Sequence, residues 1–243
     1  MSKISKALII RRLQVPLSME YAQFCAESCE KYNLDYEFID AVEFLECREA
    51  FKSVGAKKIN SYKNRAGLHK MGNCCCHASH IKCWKRIVEL DETCIILEHD
   101  AVVKGDVCNI EIPDMVTTTF GHRIQNIDDY TPPHEATKLV RIKRALGCHA
   151  YALTPKSAEW LWQDARIGVK LELDYYLMIN PPTVFPLYVC EPPQVVGWER
   201  ASTTRFTQDN QTPKKQIFTL ANNQHPDSIT EGWKKGYKPQ KSS

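Results

Sequence analysis

Short apolar runs alternate with longer stretches of helical period along this chain, an order that predicts an α/β fold. Ala7-Leu8-Ile9-Ile10 predicts the first strand. Leu17 to Tyr32 predicts a helix, with Ser18 as N-cap and Tyr21, Phe24, Cys25 and Cys29 as its apolar stripe. Tyr36 to Ile39 predicts a second strand that ends at Asp40. This β-α-β opening suits a nucleotide-binding layout. No Gly-x-Gly-x-x-Gly follows the first strand and the sequence has no Walker lysine loop, which argues against a dinucleotide-binding enzyme and a P-loop NTPase.

Residues 48–70 are polar and basic and predict a loop with broken helix. A helix from about Cys75 to Leu90 follows, with His77, His80, Ile81, Trp84, Ile87 and Val88 along one face. After the turn Asp91-Glu92-Thr93, the run Cys94-Ile95-Ile96-Leu97 leads straight into Glu98-His99-Asp100. Such a run suits a strand buried on both faces, and polar groups at its end sit at the ligand-binding edge of an open α/β sheet. Glu98 and Asp100 share a face while the chain stays extended, and a bend lets them converge on one cation. Hard carboxylate oxygens favour Mg²⁺ or Mn²⁺, and the alternative reading is a solvated acidic turn.

Val116 to Phe120 predicts a further strand. Cys148 to Leu153 predicts another, followed by Thr154 as N-cap, Pro155 as first helical residue and Ala158, Leu161, Trp162 and Ala165 on one helix face. Leu171 to Ile179 predicts a short helix stopped by Asn180-Pro181-Pro182, and Thr183 to Cys190 a last strand closed by Pro192-Pro193.

The 243 residues accommodate one large domain, or one domain with an appendage. The 11 cysteines change the picture, because they are odd in number and three are consecutive at 74–76. Met1 to Arg12 offers no secretory apolar region, and no run approaches the ~20 apolar residues that span a bilayer. These features lead to the expectation of a cytoplasmic protein with free thiols, Cys25, Cys29, Cys83 and Cys94 serving as small core residues. The net charge of +3 resides in Thr207 to Ser243, where six lysines face three acids. The chain therefore divides into a neutral body, 1–206, and a basic tail, 207–243, expected to be flexible. A contact between that tail and a polyanion such as DNA is the sharper reading, with Trp233 and Tyr237 available for base stacking.

Cys76 and His80 are i, i+4 on one helix face with His77 nearby, which opens a Zn²⁺ reading. No second well-spaced pair accompanies them, and three consecutive helical cysteines point in three directions.

Three blocks carry a resemblance to glycosyltransferase family 25, the lipopolysaccharide-type sugar transferases that include simpler members carried by phages. Gly72-Asn73-Cys74-Cys75-Cys76-His77-Ala78-Ser79-His80 resembles the family's Gly-Glu-Ile-Gly-Cys-x-x-Ser-His pattern, with Trp84 in the expected place beyond. Ile95-Ile96-Leu97-Glu98-His99-Asp100 resembles its Ile-Leu-Glu-Asp-Asp strand end, and Gly147 to Thr154 its Gly-x-x-Ala-Tyr-x-x-Thr strand. The departures are His99 for the middle acid, and Asn73 and Cys74 for Glu and Ile.

The resemblance implies a single GT-A (nucleotide-diphospho-sugar transferase-like) α/β domain, its mostly parallel central sheet flanked by helices. It implies transfer of a sugar from a nucleotide-diphosphate donor, a UDP-hexose, to a hydroxyl of a glycan or lipid-linked saccharide, with Mn²⁺ or Mg²⁺ as cofactor. Asp100 and Glu98, with His99, are the implied metal ligands, and Asp100 and Asp174 the implied catalytic acids. Asp174 would serve as general base; an ion pair with Arg166 or Lys170 is its other reading. Ser79, His80, Glu98, His99, Gly147 and Arg11 form the implied donor-binding set, a core histidine hydrogen-bonded beneath the sheet being the other reading of His80, and Arg200, Ser202 and Arg205 precede the tail where they could close over the donor. Three other functions stay open: glycosylation of a hydroxymethylated DNA base, a catalytically inactive binder of nucleotide sugar or nucleic acid, and a zinc-stabilised interaction module.

Overall fold

The computed structural model describes residues 1–59, 71–124, 130–132, 137–145, 147–179 and 185–198. It begins with β1 (Ser2–Lys3), β2 (Lys6–Arg11), α1 (Pro16–Glu30), β3 (Asp35–Asp40) and α2 (Cys47–Ser53). Then come α3 (Met71–Leu90), β4 (Cys94–Glu98), β5 (Ala101–Val103), β6 (Glu111–Ile112), β7 (Thr117–Thr119), β8 (Gly121–Ile124) and β9 (Lys138–Ile142). After β10 (Ala150–Leu153) and α4 (Pro155–Ile167) a π-helical turn, Tyr175–Ile179, precedes β11 (Leu187–Glu191) and β12 (Val195–Trp198).

Among the described residues, seven strands form the main sheet in the order β3-β2-β4-β10-β7-β11-β9. The expectation of a mostly parallel sheet is corrected here, because the sheet is mixed. β3, β2 and β4 run parallel, as do β7 and β11, whereas β10 is antiparallel to both its neighbours and β9 to β11. Helical crossovers α1 and α3 make the first three strands parallel. Between β4 and β10 the chain instead visits a second sheet, β5-β12-β8, and the short pair β1-β6.

The apolar runs explain the layering. Along β2, Leu8 and Ile10 face the α2–α3–α4 side with Cys94 and Ile96 of β4, while Ala7 and Ile9 face the α1 side with Ile95 and Leu97. All four residues 94–97 are fully buried, so β4 is covered on both faces as its composition requires. Thr154 caps α4 through its side-chain oxygen, which accepts from the Ser157 N–H, and Pro155 follows at the first turn.

Other expectations need adjustment. Helix α1 starts at Pro16 with Val15 at the cap, because proline needs no donor there; the Ser18 hydroxyl instead accepts from Arg12 N–H at 3.0 Å. Tyr21 and Phe24 leave its buried stripe and pack on Trp198, with ring centroids 5.2 and 5.9 Å away. Within the expected 48–70 loop lies most of α2, and residues 60–70 fall outside the described residues. The expected helix 171–179 ends as the π-helical turn, and β11 is followed by a further strand, β12. The tail 207–243 and Arg200, Ser202 and Arg205 also lie outside the described residues.

Cys25, Cys29, Cys83 and Cys94 are fully buried, and burial pushes the Cys94 thiol up to about 12. The expectation that all thiols are free fails for one pair. Cys47 and Cys74 form a disulfide that joins the start of α2 to α3 across 27 residues of sequence. The expectation counted cysteines by compartment, whereas this bond follows from two helices packing side by side. None of the described helices is long and apolar enough to cross a membrane.

Candidate active site

The carboxyl ends of β2, β3 and β4 meet at one edge of the main sheet, because their register pairs Arg11 with Asp40 and Ile10 with Glu98. Antiparallel β10 brings its amino end to the same edge, where the Glu98 N–H donates to His149 O at 2.9 Å. Gly147 stands just before it with φ of +79°, a left-handed backbone that glycine takes without strain. His149 is fully buried against β12, and a Cβ on Gly197 would come within 2.7 Å of its ring. A glycine at 197 is therefore what lets β12 close over this edge.

Strand alternation decides which side each acid takes. Glu98 continues the Cys94–Ile96 face towards α3, where its Oε1 lies 3.4 Å from His80 Nε2. The chain then turns at His99 and Asp100, both buried, and enters β5 of the second sheet. Asp100 O accepts from Trp198 N–H at 2.7 Å, and the Asp100 charge helps to raise the Cys25 thiol of α1 after the Cys29 hydrogen bond and burial. Glu98 and Asp100 both stay near Cys76 of α3, whose thiol each helps to raise.

Behind Glu98 runs a chain of polar groups. Trp84 Nε1–H donates to the Tyr151 hydroxyl at 2.8 Å, and that hydroxyl lies 3.0 Å from His80 Nδ1. The His80 and Tyr151 rings stack at 5.6 Å between centroids. His80 is 1% exposed, so it sits beneath the site, oriented by Tyr151 and presenting Nε2 to Glu98. Tyr151 lies in the third block and Trp84 just beyond the first, and only the packing of α3 on β10 places them side by side.

Ser79 lies close to the same edge, its hydroxyl engaged at both ends. Its hydroxyl donates to Cys75 O at 2.7 Å and accepts from Val42 N–H at 2.9 Å, tying α3 to the loop after β3. Arg11 Nε donates to Asp40 at 2.8 Å, and its guanidinium lies 4.5 Å from the centre of the Phe38 ring. Both stay close to the sheet edge, with their polar groups engaged by the protein.

Asp174 is exposed and immediately precedes the π-helical turn, whose Leu177 and Met178 are buried anchors. Two hydrogen bonds pin this segment: Ala145 N–H to Met178 O at 2.9 Å, and Tyr176 O–H to Asp164 at 2.6 Å. Asn73, one of the departures from the family pattern, donates to Glu172 at 2.5 Å and so joins the start of α3 to the same segment. The Cys148 thiol is pushed well up by burial and by Asp174, to which it also donates a hydrogen bond. The Cys76 thiol is pushed up by burial, then by Glu98, Asp174 and Asp100. Asp174 and Glu98 therefore share one neighbourhood, flanked by the two thiols.

His77 stands apart from this group. Its Nδ1 lies 3.1 Å from Leu171 O, and since a carbonyl only accepts, Nδ1 carries the proton. Burial and neighbouring His80 hold its pKa down at about 3. The unfolded chain takes up a proton below pH 6.5 that folded His77 refuses, so its contribution to stability is complete above that pH and lost as pH falls towards 3. Urea unfolding should show about 2–3 kcal/mol of this loss between pH 7 and 4.5. A His77→Asn variant with the same loss would sink the assignment. A cavity of about 320 Å³ bordered by His77, Asp164, Lys170 and Tyr176 lies on this side and shares no lining residue with the Glu98–Asp174 group.

Residues 17–111 match the family described as "Glycosyltransferase family 25 (LPS biosynthesis protein)". That segment runs from α1 to the start of β6 and contains the first two recognised blocks, whereas the Gly147–Thr154 block and Asp174 lie beyond it. No curated protein matches the chain. Among solved structures it is similar to a glycosyltransferase involved in the glycosylation of the major capsid of PBCV-1, with 11% identity and a TM-score of 0.31. The likeness covers 65% of this chain and 66% of that one, just under two thirds of its length. Over residues 17–111 the chain is therefore similar in sequence to glycosyltransferase family 25.

Proposed function

We propose that the protein is a glycosyltransferase of GT-A type that moves a sugar, from a UDP-hexose or related nucleotide-diphosphate donor, to a hydroxyl of a glycan or lipid-linked saccharide. The observation that carries this reading is the family match over residues 17–111, which includes both the Ser79–His80 helix and the Glu98–Asp100 strand end. The layout supports it, since open α/β sheets bind nucleotides outside the carboxyl ends of parallel strands. Here that edge collects Glu98, Gly147 and, through the following segment, Asp174.

In this reading Asp174 takes the proton of the acceptor hydroxyl as the new glycosidic bond forms. An exposed carboxylate can reach a bound hydroxyl, and the Cys148 hydrogen bond holds it in place without protonating it. Glu98 faces the donor, and the buried His80 behind it fixes its orientation. Mn²⁺ or Mg²⁺ borne on the diphosphate needs only one or two protein carboxylates, and Glu98 is the accessible one. His99 and Asp100, expected as ligands alongside Glu98, are buried at the turn that follows it. When bound, such an ion neutralises charge on the departing diphosphate.

The test is a panel of nucleotide sugars read by thermal unfolding, with and without Mn²⁺. A ligand at 100 times its dissociation constant stabilises the folded state by about 2.7 kcal/mol. For a chain of this size that raises the melting temperature by roughly 5–11 °C. A panel in which no nucleotide sugar raises it, with or without the ion, overturns the reading.

A further inference from the structure

Among the described residues, one group of three metal-ligating side chains has its donor atoms within 4.8 Å of one another: Cys76, His80 and Glu98. Cys76 and His80 stand one helical turn apart on α3, and Glu98 arrives from the end of β4, whose even-numbered residues face that helix. The sequence alone offered Cys76 and His80 without further well-spaced ligands; the fold supplies the third. The separation between His80 Nε2 and Glu98 Oε1 is 3.4 Å. Two ligand atoms each about 2.0–2.2 Å from a tetrahedral ion stand about 3.4 Å apart, so these two need little movement to share one.

We propose that Cys76, His80 and Glu98 form a binding site for a borderline-soft divalent cation, Zn²⁺ in preference to Mn²⁺ or Mg²⁺, with the fourth position open. Thiolate and imidazole ligands select such an ion, whereas Mg²⁺ requires an octahedron of oxygens. Three protein ligands with a fourth place for water or substrate is the pattern of reactive rather than purely structural zinc. The ring orientation is already set, because the Tyr151 hydroxyl engages Nδ1 and directs Nε2 at the site, and Trp84 in turn holds Tyr151. Access is through Glu98 and Cys76, which are partly exposed, while His80 is buried.

Binding is a simple exchange: the Cys76 S–H bond breaks, its proton goes to solvent, and a sulfur–metal bond forms. Without the ion, burial and the acids around Cys76 keep the thiol protonated. A dication at the centre of the same group reverses the sign of that field. The site stands on this geometry and does not depend on the sugar-transfer reading.

The experiment is a titration of the metal-stripped full chain with Co²⁺, followed by absorbance and then displaced with Zn²⁺. One equivalent of Co²⁺ should give a sulfur-to-metal charge-transfer band and the strong visible bands of tetrahedral cobalt, and Zn²⁺ should abolish both. Cys76→Ser should lose the sulfur band while melting as a folded protein. Tyr151→Phe, which removes the hydroxyl that holds His80 Nδ1 and accepts from Trp84, should weaken binding about 10- to 100-fold. Three results would overturn the site. These are no band at all, a band that survives Cys76→Ser and so arises from another thiol, and Mn²⁺ binding as tightly as Zn²⁺. Sugar transfer is not read in this titration, so such a failure leaves the function proposed above to its own test.

Discussion

Asp174→Asn should lower the turnover of sugar transfer by about 10²–10⁴-fold, the usual worth of a positioned general base. The change removes one proton acceptor and keeps the side chain's shape. Asp174 is exposed, and the buried residues of its segment are Leu173, Leu177 and Met178, so stability should move by no more than about 0.5 kcal/mol. If the carboxylate acts in the transition state, kcat falls and the donor KM stays within about twofold. A second readout is independent of transfer. The Asp174 charge helps to keep the Cys148 and Cys76 thiols protonated, so removing it should lower both pKa values and speed the reaction of the partly exposed Cys76 with a thiol reagent. Unchanged turnover with a faster thiol would place Asp174 beside the site but outside the chemistry. A raised KM with unchanged kcat would make it a binding group.

Position along a strand was legible in the sequence, whereas direction in the sheet was not. The four apolar residues 94–97 identify β4 and its burial on both faces, since only a covered strand tolerates them. Ala150–Leu153 looks the same from its residues whether it runs parallel or antiparallel, and its antiparallel pairing brings Gly147–His149 to the Glu98 edge. Thr117–Thr119 of β7 shows the limit of composition, because these polar residues are buried in mid-sheet. The acidic strand end was visible, but its geometry was not. An i, i+2 pair shares a face only while the chain stays extended, and here the chain turns at 99–100 before it enters β5 of a different sheet. The neighbours that define the site, Tyr151 and Cys148 beside Glu98 and Asp174, are distant in sequence and adjacent only through strand order.

Trp84→Ala should be the most destabilising single change near this site, costing about 3–5 kcal/mol. Trp84 is fully buried among α3, β10 and the π-helical turn, with the His77 and Tyr176 rings at 5.8 and 6.3 Å. Alanine removes the indole from a core that cannot close around the gap, and it also takes away the donor to Tyr151. At roughly 2–4 °C per kcal/mol for a chain of this size, the melting temperature should fall by about 6–20 °C. Trp84→Phe separates the two losses. It keeps an aromatic ring in the core and deletes the N–H with part of the indole volume, so its cost should be nearer 1–3 kcal/mol, smaller than that of alanine. The smaller change should nonetheless reach the site, because Trp84 is what fixes the Tyr151 hydroxyl that holds His80 against Glu98. Trp84→Phe should therefore lower transfer more than its stability loss accounts for at a temperature where the variant is fully folded. Equal destabilisation by Phe and Ala would show that the N–H bond, and not the ring's volume, anchors α3. Full transfer in folded Trp84→Phe would show that His80 keeps its orientation without the relay.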